Sequence, residues 1–363
     1  MKIEQDIKLD FSDVLMRPKR STLSSRSEVD LIRTLKFPNS GQSWSGVPIM
    51  VANMDTVGTL DMFDALYKNR MMTCLHKYVS AEDIIDLFKQ YEDLPDDELH
   101  PINYMILSTG ITESNWDNLN STIAKLSENG IEVKFICVDV ANGYMDSFSN
   151  FCKRVRTRYP NKTIIAGNVV TREIVEELIL NCGVDIVKCG IGSGSVCTTR
   201  LQTGVGMPQF STILECADAA HGLNGHIISD GGVKVPGDFS KAFAGGADFV
   251  MSGSMFAGFD ESAGDLVTDE DGRKFKTFYG MSSATSMNKY HGGVAKHRSS
   301  EGKTVKVPYK GPVQDQVYNI LGGIRSTCTY TGAKRLKDLP KCATFIRVNN
   351  QVNNKYSHEK FMV

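Results

Sequence analysis

Eight short apolar runs punctuate this chain, and each gives way to polar or glycine-rich sequence. They begin at Val47 (VPIMVANMD), Met71 (MMTCLHK), Tyr104 (YMILSTG), Lys134 (KFICVDVANG), Thr163 (TIIAGNVVT), Asp185 (DIVKCGIGSGS), His226 (HIISDGG) and Ala247 (ADFVMSGS). Their length and their share of β-branched residues predict strands. The intervals mostly carry helical periodicity: LDMFDALYKNR, AEDIIDLFKQY, YMDSFSNFCKRV, REIVEELIL, QFSTILECADAA and GDFSKAFAGG. Strands alternating with amphipathic helices imply parallel strands joined by right-handed crossovers. Eight such units are what an α/β fold of the (β/α)8 (TIM) barrel type requires. An open doubly wound sheet is the rival. It is disfavoured because no GxGxxG follows the first run and the reactive residues trail many runs instead of one switch point.

The sequence therefore reads as a single catalytic barrel domain over residues 1–363. Residues 1–46 precede the first strand. Residues 258–312, after the eighth, are polar, charged and glycine-containing; a loop that long in a compact domain is functional or disordered, and here it is read as a flap. The closing helix is expected near Val313. The Asn-rich tail from about Val348 is expected to be mobile.

Charge is almost balanced, with 41 Lys and Arg against 42 Asp and Glu, so nothing suggests nucleic acid or an anionic membrane as partner. The first residues lack the continuous apolar core of a signal peptide, and no stretch approaches the roughly 20 apolar residues of a membrane span. Several of the nine cysteines, among them Cys74, Cys137 and Cys189, sit inside apolar runs. That pattern suits reduced thiols in the cytoplasm better than a disulfide framework. Neither a CxxC pair nor an HExxH helix argues for zinc.

In a (β/α)8 barrel, reactive groups gather on loops at the carboxyl ends of the strands. After the sixth run comes Cys189-Gly-Ile-Gly-Ser-Gly-Ser-Val-Cys197-Thr-Thr199-Arg200. Glycines 190, 192 and 194 allow tight turns and close backbone approach to a ligand. On such a loop Cys197 becomes a candidate nucleophile, because a thiolate formed at lowered pKa attacks electrophilic carbon. A lone cysteine is more often an inert loop residue; the glycine frame and the hydroxyls of Thr198 and Thr199 favour the reactive alternative. Asp230-Gly231-Gly232 follows the seventh run and Gly253-Ser254 the eighth, where such barrels often bind phosphate. Their amides suit phosphate oxygens and Asp230 suits ribose hydroxyls, although two ordinary turns would look similar. Lys77 ends the second run and Asp139 the fourth. Facing one another at the mouth they would orient a cofactor amide or relay a proton; a surface salt bridge is equally compatible with the sequence.

With those residues in view, the chain resembles the family of IMP dehydrogenases and GMP reductases over nearly its whole length. The resemblance is carried by DFSDVLMRPKRS, ANMDTVG, CVDVANGY, AGNVVT, GIGSGSVCTTR, ISDGGV, FYGMSS, SEGK and GGIRSTCTYTGA. Family dehydrogenases typically insert a regulatory module of about 120 residues, the size of a small domain, after the second strand. Only about 25 residues separate the second and third runs here, and SEGKTVKVPYKG with GGIRSTCTYTGA looks like the reductase branch.

The resemblance implies that Cys197 attacks C2 of GMP, that ammonia leaves and a thioimidate forms, and that hydride from NADPH then yields IMP. Thr199 and Glu301 would share the proton transfers, with Glu301 also accepting from purine N1–H, while Lys77 and Asp139 serve the hydride step. It assigns ribose and phosphate to Asp230, Gly231, Gly232, Gly253 and Ser254. The base goes to Gly280, Met281, Ser282, Arg298, Ser299, Ser300 and Gly302. NADPH is assigned to Lys77, Asp139, Val140 and Ala141, and to Ser25, Arg26, Ser326, Thr327, Cys328 and Thr329 from a neighbouring subunit of a homotetramer. Arg26 suits a 2′-phosphate because a guanidinium meets phosphate in bidentate fashion. A monovalent cation, potassium, is implied at the carbonyls of Gly192, Gly194 and Cys197 with Arg200. Two positions depart from the family: Gly110-Ile111-Thr112 replaces the usual Gly-Thr after the third strand, and residue 254 is Ser where relatives often have Gly. A dehydrogenase without its module, and a nucleotide-binding regulator without turnover, are the competing readings. The presence of Cys197, Thr199 and Glu301 together argues against the regulator.

Overall fold

In the computed structural model, which describes residues 1, 3–297 and 299–349, the eight runs form a closed parallel barrel. Its strands are β1 (Ile49–Val51), β2 (Met72–Leu75), β3 (Met105–Thr109), β4 (Phe135–Asp139), β5 (Thr163–Val169), β6 (Ile186–Cys189), β7 (His226–Asp230) and β8 (Phe249–Ser252). Each pairs with its neighbours in sequence, and Val250 of β8 lies opposite Ile49 of β1 to close the ring. Closure leaves no unpaired edge, which an open sheet would expose at both ends.

The outer helices are α1 (Leu60–Tyr67), α2 (Ala81–Phe88), α3 (Glu113–Glu128), α4 (Asp146–Arg158), α5 (Arg172–Cys182), α6 (Gln209–Gly222), α7 (Pro236–Ala244) and α8 (Gln314–Thr331). Local chemistry marks their ends. Thr59 and Ser80 accept from the amides of Met62 and Asp83 at 3.1 Å each, satisfying first-turn donors of α1 and α2. Gly183 and Gly332 end α5 and α8 in left-handed conformation. Helix α3 escapes the periodicity reading because Leu119, Ile123 and Leu126 are the buried residues in an otherwise polar helix. Its signal is the start: Thr112 caps Asn115 N at 3.2 Å. The hydroxyl displaced by Ile111 is thus spent as a helix cap.

Part of the N-terminal segment forms the hairpin Arg33–Lys36 with Ser43–Gly46. From it Phe37 packs edge-on against Phe135, with ring centroids 5.9 Å apart, and Trp44 tilts against Phe249 at 5.2 Å. These rings meet the first residues of β4 and β8, so the hairpin closes the amino-terminal end of the barrel. Val14–Met16 pairs antiparallel with Phe345–Arg347, tying both ends of the described chain together. The expected flap loop is more regular than its composition suggests. Leu266–Thr268, Lys274–Tyr279 and Thr304–Pro308 form a three-stranded antiparallel sheet, with a helix at Ala284–His291. The helix after it begins at Gln314, next to the expected Val313. Arg298 and most of the tail lie outside the described residues. No helix among the described residues is long and apolar enough to cross a membrane.

At the closed end Asp248, which is 2% exposed, collects Ile227 N at 3.1 Å and His221 Nε2 at 2.9 Å. Arg33 Nη2 and His226 Nδ1 each lie 3.4 Å from its other oxygen. Burial alone would lower the His226 pKa, but Asp248 and the Lys36 carbonyl, to which Nε2 donates at 2.8 Å, outweigh it and hold it above the ordinary 6.5. A raised histidine stabilises fully below its unfolded-state value and loses that contribution as pH rises through the folded value. His226→Gln should therefore lower Tm more at about pH 6 than at about pH 9, by a difference of order 1 kcal/mol in stability. Thermal unfolding across that range checks it; a pH-independent gap rejects the assignment.

Candidate active site

The β6 loop places Cys197 at the carboxyl end of the barrel, partly exposed. Its Sγ donates to Thr199 Oγ1 at 3.2 Å, and Thr199 Oγ1 donates to Glu301 Oε2 at 2.7 Å. The backbone fixes that line. Thr198 N donates to Glu301 O at 2.8 Å and Lys303 N to Val196 O at 2.9 Å, lacing the flap to the cysteine loop. Gly302 sits where backbone segments converge, because a Cβ there would lie 2.9 Å from Ser283 N. A larger residue would push Glu301 off the loop.

A cavity of about 230 Å³ opens beside Cys197. On its wall Lys188, 3% exposed, places Nζ 2.6 Å from Asp139 Oδ1 and 2.9 Å from Asp230 Oδ2. Asn168 Nδ2 donates to the same Asp230 oxygen at 2.8 Å and to Gly190 O at 2.7 Å. Burial favours neutral forms here, yet the charges win. Asp139 is held below the usual carboxylate range by Lys188, Asn53 and Lys77, and the two acids hold Lys188 above its ordinary value. Gly231 adopts φ +81°, and a Cβ would lie 2.8 Å from Ser193 Oγ, so this turn after β7 requires glycine.

The cavity brings together Cys197, Thr199, Glu301, Asp139, Val140, Ala141, Asp230 and Gly231 with Gly280, Met281 and Ser282 of the flap and Gly192 and Gly194 of the cysteine loop. Gly232, Gly253 and Ser254 stand at the ends of β7 and β8 outside that lining; a Cβ on Gly253 would meet Met54 Sδ at 2.6 Å. Ser300 Oγ donates to Gly302 O at 3.1 Å and Ser299 Oγ to Gln202 Oε1 at 3.2 Å, so both brace the flap. Lys188 Nζ lies 2.6 Å from Asp139, a cation partner the sequence reading did not name; Lys77 also lowers the Asp139 pKa and lies 5.3 Å from the Tyr78 ring centre. Ser25 and Arg26 sit at the 3-10 turn Arg26–Glu28, which packs on α8, the helix carrying Ser326, Thr327, Cys328 and Thr329. The two expected cofactor segments thus form one patch, apart from the Cys197 cavity. Within it Cys328 is fully buried, its thiol pushed up to about 12 by burial, so its side chain faces the core and not a ligand. Arg200 braces the loop: its guanidinium lies 3.1 Å from Asp10 and donates to Met207 O at 2.6 Å, and a cation repels a cation. No His, Cys, Asp and Glu cluster suited to a metal ion occurs among the described residues.

Lys188, Asn168 and Asp55 are the residues that sequence reasoning missed. Lys188 had a signal, a lysine inside an otherwise apolar strand. Asp55, 3% exposed, follows β1 and accepts from Tyr279 OH at 2.5 Å, Tyr290 OH at 2.7 Å and Lys289 Nζ at 3.0 Å. Tyr290 also stacks on Tyr78 with ring centres 3.6 Å apart. These contacts give the flap an anchor separate from Glu301.

Fold and site together define a (β/α)8 barrel in which a cysteine, a hydroxyl and a carboxylate meet at the mouth of a cavity. The family model for the IMP dehydrogenase / GMP reductase domain matches residues 8–358. The chain is 56% identical over 355 residues to a GMP reductase of Caenorhabditis elegans, covering 98% of this chain and 96% of that one. It is 56% identical over 355 residues to GMP reductase 2 of Homo sapiens, 98% of each. It is 53% identical over 359 residues to a GMP reductase of Photobacterium profundum, 99% of this chain and 100% of that one. The chain belongs to the IMP dehydrogenase / GMP reductase family and is an oxidoreductase.

Because three donors converge on one buried carboxylate, Asp55→Asn should loosen the flap. We expect kcat/KM to fall about tenfold, the scale of a lost charge-assisted bond, with faster proteolysis within residues 258–312. Unchanged cleavage and activity would remove Asp55 from that role.

Proposed function

We propose that this protein catalyses the NADPH-dependent reductive deamination of GMP to IMP and ammonia, a step of purine interconversion and salvage in the cytoplasm. The observation that carries this reading is the line Cys197 Sγ, Thr199 Oγ1, Glu301 Oε2, with contacts of 3.2 and 2.7 Å. A thiol must lose its proton to attack a ring carbon, and an amine departs readily only when protonated. The line serves both needs. The sulfhydryl proton passes through the Thr199 hydroxyl to the Glu301 carboxylate as the sulfur–C2 bond forms. Glu301 and Thr199 return a proton to the amine as the C2–N bond breaks, leaving a thioimidate. After reduction at C2 the sulfur–carbon bond breaks, and the Cys197 thiolate released takes a proton from solvent, the original one having left with ammonia.

Asp230 accepts from the ribose hydroxyls, and the amides of Gly231, Gly232, Gly253 and Ser254 receive the phosphate. Gly280, Met281 and Ser282, with Ser299, Ser300 and Gly302, enclose the base. The donor set suits a nicotinamide cofactor: Asn168 Oδ1 is a buried acceptor with no partner among the described residues, on the wall shared with Asp139, Val140 and Ala141. When bound, NADPH supplies the hydride. Lys77 and Asp139 orient its carboxamide side. Ser25, Arg26, Ser326, Thr327 and Thr329 hold its far end from a neighbouring subunit of a homotetramer, since their patch stands apart from the cavity of their own chain. A monovalent cation such as potassium fits the carbonyls of Gly192, Gly194 and Cys197, with Arg200 contributing its carbonyl and not its side chain.

Incubation with GMP and NADPH should consume reduced nicotinamide, whereas IMP with NAD should not generate it; the reverse outcome identifies a dehydrogenase. Cys197→Ala should lower turnover by at least about a thousandfold. Mass spectrometry of quenched wild type should find the nucleotide on Cys197, and an adduct elsewhere rejects the mechanism. Glu301→Gln should lower kcat about 10²- to 10⁴-fold, the range for a lost acid–base group, with a smaller change in KM for GMP.

A further inference from the structure

Barrel interiors are ordinarily filled by layers of branched apolar side chains. Lys188 departs from that rule. It stands on β6, 3% exposed, between Cys189 and Val187, both fully buried. Removing an ammonium from water is costly, and one carboxylate partner would suffice to balance it. Lys188 has two, and they come from strands on either side of it. Nζ lies 2.6 Å from Asp139 at the end of β4 and 2.9 Å from Asp230 at the end of β7. The neighbouring strand makes room, since a Cβ on Gly167 would collide with the Lys188 carbonyl. The next residue, Asn168, donates to the Asp230 oxygen that Lys188 holds. Asp230 Oδ1 is thereby left as the acceptor on the cavity wall.

We propose that Lys188 is a positioning residue common to both halves of the cavity: one buried ammonium fixes the acid that receives the nucleotide ribose and the acid that serves the nicotinamide side. This rests on the roles given above to Asp230 and Asp139. Each acid loses its alignment when the ammonium is removed, so both ligands bind less well from a single change. The other titratable or charged groups around the trio are Lys77, Cys74, Cys137 and Cys189, and Lys188 is the one placed within 3 Å of both carboxylates by the ion pairs above.

The test is steady-state kinetics and thermal unfolding of the full chain carrying Lys188→Met, Lys188→Arg or Asn168→Ala. Lys188→Met should raise KM for GMP and for NADPH together, each by about tenfold or more. Its kcat/KM should decline as pH rises between about 6 and 8, because two facing carboxylates without a cation need a shared proton. Lys188→Arg keeps the cation and should keep the wild-type pH profile. Asn168→Ala loses the donor to Asp230 and the acceptor assigned to the nicotinamide side but leaves Lys188 between the acids, so it should raise KM for GMP and for NADPH while keeping the wild-type pH profile. A folded Lys188→Met with a lower Tm, both KM values unchanged and a wild-type pH profile would overturn the proposal, as would a change in one KM only. Should that variant not fold, Asp139→Asn is compared with Asp139→Asn/Lys188→Met, which removes one charge of each sign. Calorimetry should then show GMP binding about tenfold weaker in the double variant, and equal affinities overturn the proposal. A wild type that does not oxidise NADPH with GMP defeats the functional reading itself, and the proposal with it. An active wild type with an indifferent Lys188→Met defeats the proposal alone.

Discussion

The hydrogen bond between Thr199 and Glu301 joins residues 102 positions apart, and the chemistry of this site depends on that join. Cys197 belongs to a loop of the barrel and Glu301 to the flap; neither unit holds the proposed nucleophile and its proposed proton acceptor by itself. Two backbone bonds flank the side-chain contact, so the register of flap against loop is set by main chain and the carboxylate only has to extend. Main-chain lacing also explains glycine at 302, where the Ser283 backbone approaches too closely for a Cβ. The flap is held at a second place by Asp55, so it is restrained at two points around the cavity mouth.

Two groups of acids stand at opposite ends of this barrel, buried at the closed end and partly exposed at the open one, and the ends use them differently. At the closed end Asp185 accepts from the amides of Asn39, Ser40 and Ile164 and from Arg156 Nη2 at 2.6 Å. Asp248 gathers Ile227, His221, His226 and Arg33. Those acids fasten the hairpin and the strand starts, and their bonding capacity is spent within the protein. At the open end Asp139 and Asp230 share one ammonium and line a cavity. Bonding capacity left toward that space is what makes the open end a site and the closed end a foundation.

The strands were legible because each is buried on both faces and must therefore be apolar along most of its length, as HIISD in β7 and FVMS in β8 illustrate. Helix α3 was not, since a three-residue buried stripe in a solvated helix leaves little periodic trace. The flap sheet was hidden by its polarity and by the lack of period-two alternation in KFKTFY, whose two buried residues, Phe278 and Tyr279, are adjacent. Cys197 and Thr199 were legible from the glycine frame of one loop, and Glu301 from family likeness. Lys188 was passed over because a run of apolar neighbours draws attention to strand formation and away from the single charge within it. Asp55 offered no local sign at all: its three donors lie more than 200 positions away.

By itself the sequence determined the strand and helix alternation, and with it the parallel barrel, because burial and periodicity are properties of adjacent residues. It also determined which loop carries the thiol. Only the tertiary structure decided how Glu301 reaches that thiol through Thr199, which lysine bridges Asp139 to Asp230, and that the segments at Arg26 and Thr327 form a patch away from the cavity. Those outcomes depend on how strands follow one another round a closed ring and where a long flap returns. Distances between residues far apart in the chain are fixed by packing, and no local pattern encodes them.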